Sequence, residues 1–339
     1  MKKMKRSLAA ILLLVCMLFA PGAPAEEAAD APVPRYRATT TCAVTIRKEP
    51  SREAEAVGYY AAGARVLIVS WEPEWLYVVK GDVTGWIIRS TVTDQTPIDK
   101  TMQPFGWVEN EYVADIASAC VLREAPDDDA QALVVIPEGE RLALVSIENG
   151  WGKVLYWRTY AYLKMDKRVA SVEPVLPVED AQAGDILSAY CSFYPLKGNL
   201  VPGRIVNIHL GCEYICRVLE PGERFSFNEI AGPYGPAKGY EKAMSFYDGG
   251  TAPSYGGGTC QVSSTLYNVL MPLSGRGIDI VYRRSHGASG ATYLPHGTDA
   301  AVGSEGLDFI FRNEFDFPVR IDARSNDQGV VYIALIREE

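Results

Sequence analysis

Gly256-Gly257-Gly258-Thr259-Cys260-Gln261-Val262-Ser263-Ser264-Thr265-Leu266-Tyr267-Asn268 brings one cysteine, behind a run of glycines, to the first turn of a predicted helix. Backbone N–H groups at Thr259 to Gln261 and the positive end of the helix dipole suit a reactive thiol and an oxyanion. Glycines such as Gly257 and Gly258 would let a substrate backbone approach closely. At 100° per residue, Val262, Leu266 and Val269 share one face, a core stripe. Cys260, Ser264 and Tyr267 fall on the opposite face, and Pro272 ends the helix.

A cysteine nucleophile needs a base. The chain has three histidines. His209 lies in an apolar-periodic helix over Ile205 to Leu219. His286 follows a strand-like Ile278 to Tyr282 and opens a glycine loop, where a base is easily presented. His296 lies in the loop Leu294-Pro295-His296-Gly297. His286 is the favoured base, His296 the reserve, and Asp299 the residue to orient the imidazole. Arg283 and Arg284 could hold a carboxylate. Blander roles stay open for each: a small core cysteine, a solvated aspartate, a surface pair of arginines. No spacing among Cys260, His286 and His296 marks a metal site, and no cofactor motif is present.

The elements that must position these residues occupy the back half. Ile186 to Tyr194 alternates like a strand. Gly306 to Glu338 reads as strands around the turn Asn326-Asp327-Gln328-Gly329. The class expected for 185–339 is α+β.

The front half repeats itself at a constant offset of 76. Ile46-Arg47 matches Leu122-Arg123, Pro50 matches Pro126, Gly63 matches Gly139, Trp75 matches Trp151 and Trp86 matches Tyr162. The units span 36–95 and 108–168. Their short strands and glycine turns suggest two small all-β barrels. Val169 to Gly184, with Pro174 and Pro177, reads as an extended spacer.

Ahead of the repeats stand Lys2, Lys3, Lys5 and Arg6, an apolar run Leu8 to Ala20 and Ala23-Pro24-Ala25. Residues 1–25 are read as a secretory signal peptide. The run is short for a membrane span, so a membrane role is expected only if this segment is retained. Losing the leader's four basic residues makes a formal charge of −9 more negative still, which argues against nucleic acid as partner. Six cysteines follow the leader. Cys212 and Cys216, four apart in a predicted helix, sit too far apart for a disulfide, and no pairing follows from the spacings.

The repeats resemble the bacterial SH3 family in Ile46-Arg47-x-x-Pro50, Leu122-Arg123-x-x-Pro126, the Gly63 and Gly139 turns, Trp75, Trp151 and Gly85-Trp86-Ile87. That resemblance implies SH3-like barrels binding peptidoglycan, with Trp71, Trp75 and Tyr77 as groove candidates. The back half resembles the VanW family. The carrying motifs are Leu219-Glu220-Pro221-Gly222-Glu223-Arg224-Phe225-Ser226-Phe227-Asn228, the glycine–cysteine motif, Arg283-Arg284-Ser285-His286 and Gly297-Thr298-Asp299-Ala300-Ala301-Val302. Thr298 stands where that family usually has arginine. The resemblance implies an extracellular, cell-wall-associated L,D-transpeptidase-like enzyme making 3–3 cross-links in peptidoglycan. Cys260 would be nucleophile, His286 base and Asp299 its orienter. Gly257, Gly258, Thr259, Gln261, Ser264, Tyr267, Arg283 and Arg284 would line the substrate. Two alternatives stand beside it: an NlpC/P60-like cysteine endopeptidase, and a non-catalytic peptidoglycan-binding or glycopeptide-resistance accessory protein.

Overall fold

A computed structural model describes residues 32–72, 74–98, 106–247, 250–286, 291, 293–295, 297–303 and 306–339. The expected signal peptide, residues 1–25, and His296 lie outside the described residues.

Strands β1 to β7 are Tyr36–Thr40, Val44–Arg47, Ala56–Tyr60, Arg65–Trp71, Trp75–Lys80, Val83–Ile88 and Val92–Pro97. Strands β8 to β15 are Tyr112–Ile116, Cys120–Arg123, Ala132–Ile136, Arg141–Leu144, Ser146–Glu148, Trp151–Tyr156, Thr159–Lys164 and Val169–Pro174. Shifted by 76, β2, β3, β5 and β6 land on β9, β10, β13 and β14 residue for residue. The apolar positions coincide too. Ile46 and Leu122, Val66 and Leu142, Val78 and Val154, and Ile87 and Leu163 are all completely buried. One side-chain clamp recurs: Arg47 Nη1 donates to the Ala54 carbonyl (2.7 Å), and Arg123 Nη1 to Ala130 (2.6 Å).

The first unit is one seven-stranded sheet in the order β3-β2-β6-β5-β4-β1-β7. The second keeps the order but splits. β4 has a register shift between Ile68 and Ser70. The equivalent run breaks at Val145 into β11 and β12, leaving sheets β10-β9-β14-β13-β12 and β11-β8-β15. Among the described residues no sheet closes into a barrel.

The spacer expected from Val169 needs correction. Val169–Pro174 is β15, antiparallel to β8. It is an edge strand that is exposed along most of its length. Its pairing comes from the backbone, so its side chains carry no apolar alternation to read.

In the back half, β16 to β24 are Ile186–Phe193, Arg217–Leu219, Arg224–Ser226, Lys242–Tyr247, Gly250–Tyr255, Ile278–Arg283, Phe309–Asn313, Val319–Ser325 and Val330–Arg337. Helices α1 to α3 are Val201–Ile215, Phe227–Ala231 and Thr259–Leu270. A four-stranded antiparallel sheet, β16-β24-β23-β17, is the platform, and a smaller sheet, β18-β22-β21, stands beside it. Along β24, Val331, Ile333 and Leu335 enter the core shared with α1 and α3. Val330, Tyr332, Ala334 and Ile336 enter a second core with Leu122, Leu142 and Val154 of the second repeat. That strand is buried on both faces, which is why it reads as an unbroken apolar run. The second repeat therefore shares a hydrophobic core with the α+β region.

Candidate active site

Helix α3 runs through the middle of this region, with residues buried on every side. Its apolar stripe, Val262, Leu266 and Val269, is completely buried as expected. The opposite face differs from the sequence reading. Ser264 is also completely buried, and this face clasps the segment 297–302. Ser263 Oγ donates to the Ala300 carbonyl (2.6 Å), and Ser264 Oγ accepts from Ala300 N–H (2.9 Å). Asn268 Nδ2 donates to the Thr298 carbonyl (2.8 Å). Hydroxyls and an amide are needed there because a buried non-regular backbone must find partners.

That clasp delivers Asp299. Its Oδ2 accepts the His286 backbone N–H at 2.6 Å and faces His286 Nδ1 at 2.6 Å. His286 stands just past β21. The Cys260 side chain is the other group whose interaction with the ring favours the charged imidazole. With Nδ1 on Asp299, Nε2 is the nitrogen left to exchange a proton with sulfur. Burial works against the charged imidazole. The hydrogen bond to Asp299, its negative charge and the neighbouring Cys260 outweigh that and push its pKa up to about 10. The bonds from His286 hold the Asp299 carboxyl below its ordinary range, against the opposing effect of burial. The sulfur is placed further by Val302, with the carbonyl oxygen 3.4 Å and the N–H nitrogen 3.5 Å from it.

In the first turn of α3, Thr259 N–H bonds the Gly256 carbonyl (3.1 Å) and Gln261 N–H the Gly258 carbonyl (2.9 Å). Of the three expected oxyanion donors, the Cys260 N–H is the one without a partner among the described residues.

Most residues expected to line a substrate hold the site together instead. A Cβ on Gly257 would meet the Ala243 carbonyl and Ser245 Oγ, each at 2.7 Å. Gly258, at φ +110°, lies against Arg204 and Ile208. The glycines admit the protein's own atoms. Thr259 Oγ1 is spent on the Gly256 carbonyl. Gln261 is fully buried between Ser192 Oγ (2.7 Å) and Arg204 Nη2 (3.3 Å). Tyr267 packs edge-on to Phe309 and under the Arg283 guanidinium. Arg283 Nη1 caps the carbonyls of Gly297 (2.9 Å) and Asp299 (2.8 Å) rather than awaiting an anion. Arg284 is exposed, and its carbonyl accepts Ala301 N–H. His209 sits on α1, 3.5 Å from Asp327 and apart from this cluster.

Several residues had no signal in the sequence. Tyr293 Oη donates to the Cys260 carbonyl (3.3 Å). Arg158, from the second repeat, donates to the carbonyls of Leu294 (2.7 Å) and Ala291 (3.3 Å), on either side of Tyr293. Asn228 accepts Tyr234 Oη (2.7 Å) and Gly303 N–H (3.2 Å). It helps line an open groove of about 510 Å³ with Tyr282, Gly303, Leu307, Asp308 and Ile310. The groove starts one residue from the sulfur's backbone partner, Val302. All six cysteines among the described residues are free thiols. No cluster able to hold a metal ion occurs among the described residues. No described helix is long and apolar enough to cross a membrane.

Residues 203–335 match a family model described as VanW like protein. The uncharacterized protein YoaR of Bacillus subtilis (strain 168) is 41% identical over 119 residues, covering 35% of this chain and 38% of that protein. The chain thus spans well under half the length of that relative. Among solved structures, an NlpC/P60 family protein from Bacillus cereus ATCC 10987 is similar at 13% identity and a TM-score of 0.17, over 41% of this chain and 56% of that one. NlpC1 from Trichomonas vaginalis is similar at 12% identity and a TM-score of 0.18, over 91% and 94%. Overlaps at such TM-scores carry no argument about fold or chemistry.

Proposed function

We propose that this is an exported, cell-wall-associated cysteine acyltransferase of the L,D-transpeptidase type, acting on peptidoglycan stem peptides. The observation that carries the reading is the Asp299–His286 pair, 2.6 Å apart, with Cys260 at the first turn of α3 as the other group that favours the charged imidazole. The VanW match and the SH3-like sequence of the repeats supply the substrate class.

The imidazole, with its pKa raised to about 10, carries a proton at neutral pH. In the proposed reaction that proton is the one given up by the sulfur. Cys260 Sγ bonds to the carbonyl carbon of the third stem residue, and the oxyanion is met by the Cys260 N–H. The C–N bond to the terminal D-alanine breaks, and His286 gives its proton to the leaving amine. The side-chain amine of a second stem then attacks the thioester, a C–N bond forms and the C–S bond breaks. His286 takes the proton of the incoming amine. Water in place of the amine would make the same site an endopeptidase.

Mass spectrometry of purified protein incubated with disaccharide-tetrapeptides tests the reading. Dimers joined 3–3 with loss of D-alanine are expected, and none with Cys260→Ala. Shortened stems without dimers would assign hydrolysis. Unchanged product with Cys260→Ala would end the proposal. For the repeats, the full chain should sediment with purified sacculi, and substitution of Trp71 should weaken this.

A further inference from the structure

The charge expected of Arg283 and Arg284 at a substrate carboxylate has another source in the fold. Arg204, one turn into α1, lies across the glycine turn that leads to Cys260. A Cβ on Gly258 would fall 3.0 Å from its Cγ. Its Nη2 is steered by Gln261 Oε1 (3.3 Å), and Gln261 is fixed in turn by Ser192. Its guanidinium also stands 5.9 Å from the Tyr194 ring. No carboxylate pairs with it among the described residues, and its Nε is buried without a partner. Its charge is felt at Tyr293, the residue bonded to the Cys260 carbonyl. A guanidinium pre-aimed by a neutral amide, with a desolvated donor unused and no counter-ion, is arranged to receive an anion.

We propose that Arg204 is a carboxylate anchor beside the nucleophile, holding the free carboxylate of an acyl-donor peptide. This rests on the acyl-transfer reading above and names the chemistry of its donor. Arg204 binds the end of the donor that leaves, so that the scissile carbonyl is presented to the sulfur.

Two measurements test it. The first is alkylation of the intact protein with iodoacetate and iodoacetamide, read at each cysteine by peptide mass spectrometry. Exposed Cys42 and Cys216 serve as internal references. The iodoacetate-to-iodoacetamide rate ratio at Cys260 should exceed that at Cys42 by about tenfold, a charge-assisted hydrogen bond's worth. It should fall to the Cys42 value in Arg204→Met. Arg204→Lys keeps a charge on a stem over Gly258 and should restore part of the preference, which separates a lost anchor from disturbed packing. An unchanged ratio in Arg204→Met overturns the proposal. The second is calorimetric binding of N-acetyl-L-lysyl-D-alanine and its C-terminal amide to Cys260→Ala protein. The acid should bind about tenfold more tightly than the amide, with no difference once Arg204→Met is added. Equal binding, or none by either, overturns the anchor. If Cys260 alkylates no faster than Cys42 while the acid is still preferred, the nucleophile reading falls and the anchor stands.

Discussion

His286 is held between two groups that both favour its charged form, and this fixes how the site responds to pH. Its pKa of about 10 lies above the ordinary 6.5. Its contribution to stability is therefore fully present below about pH 6.5 and is lost as pH rises through about 10. Asp299, held below its ordinary range, contributes above about pH 4 and loses that share as pH falls through its lowered pKa. Urea titrations from pH 6 to 10 should show stability declining across that interval, with the decline much reduced in Asp299→Asn. A flat wild-type profile would mean that the imidazole is not charged in the folded state. In turnover, Asp299→Asn should cost more than His286 misplacement alone explains. Its Oδ2 fixes both the ring and the backbone N–H of residue 286. Loss of general acid–base assistance is worth roughly 10²–10⁴ in rate. A variant within threefold of wild type in single-turnover acylation would remove Asp299 from the mechanism.

At the scale of elements, the determinant is the clasp between α3 and the segment 297–302. Asn268 Nδ2 bridges the Ser264 and Thr298 carbonyls inside the core. Asn268→Leu should cost about 1–3 kcal/mol in chemical denaturation, the range for stranding a buried polar partner. It should also slow Cys260 alkylation, because Asp299 follows Thr298. Stability lost with alkylation unchanged would show that the clasp does not position the site. This element also marks what the sequence could convey. The stripe Val262, Leu266 and Val269 was legible because period 3.6 has one apolar reading. The opposite face was not, since hydroxyls facing water and hydroxyls facing a buried loop backbone have the same pattern. The pairing of His286 with Asp299 was legible from motif and resemblance. The contacts of Arg204 and Tyr293 at the turn before α3 were not, because they arise from which elements meet there. The 76-residue repeat was plain in the sequence. The edge strand Val169–Pro174 was hidden because backbone pairing leaves no trace in side-chain type.

Across the whole molecule, the two repeats keep one strand order, apart from the split at Val145, and they differ again where one of them meets the site. At the β5–β6 turn the first repeat has Gly81-Asp82, and the second has Trp157-Arg158. The backbone is the same, with φ 59° at Gly81 and 60° at Trp157. A tryptophan in that left-handed conformation costs on the order of 1–2 kcal/mol that glycine avoids. The strained turn lets Arg158 cap the carbonyls of Ala291 and Leu294 and brings its charge within reach of Asp299. A duplicated unit has thus become a buttress for the loop carrying Tyr293, and Arg158 is a positioning residue for the site. Arg158→Ala should slow alkylation of Cys260 by iodoacetamide several-fold while leaving Cys42 unaffected. Combined with Tyr293→Phe it should be non-additive, with a coupling of about 0.5–3 kcal/mol, as expected for residues acting through one loop. The equivalent cycle with Arg47→Ala, whose clamp lies wholly within the first repeat, should be additive. Additivity in both cycles would reduce the second repeat to a neighbour of the site. Coupling confined to Arg158 would mean that a unit read as a wall-binding module also sets the geometry of the thiol, so that its removal would lower the reactivity of Cys260.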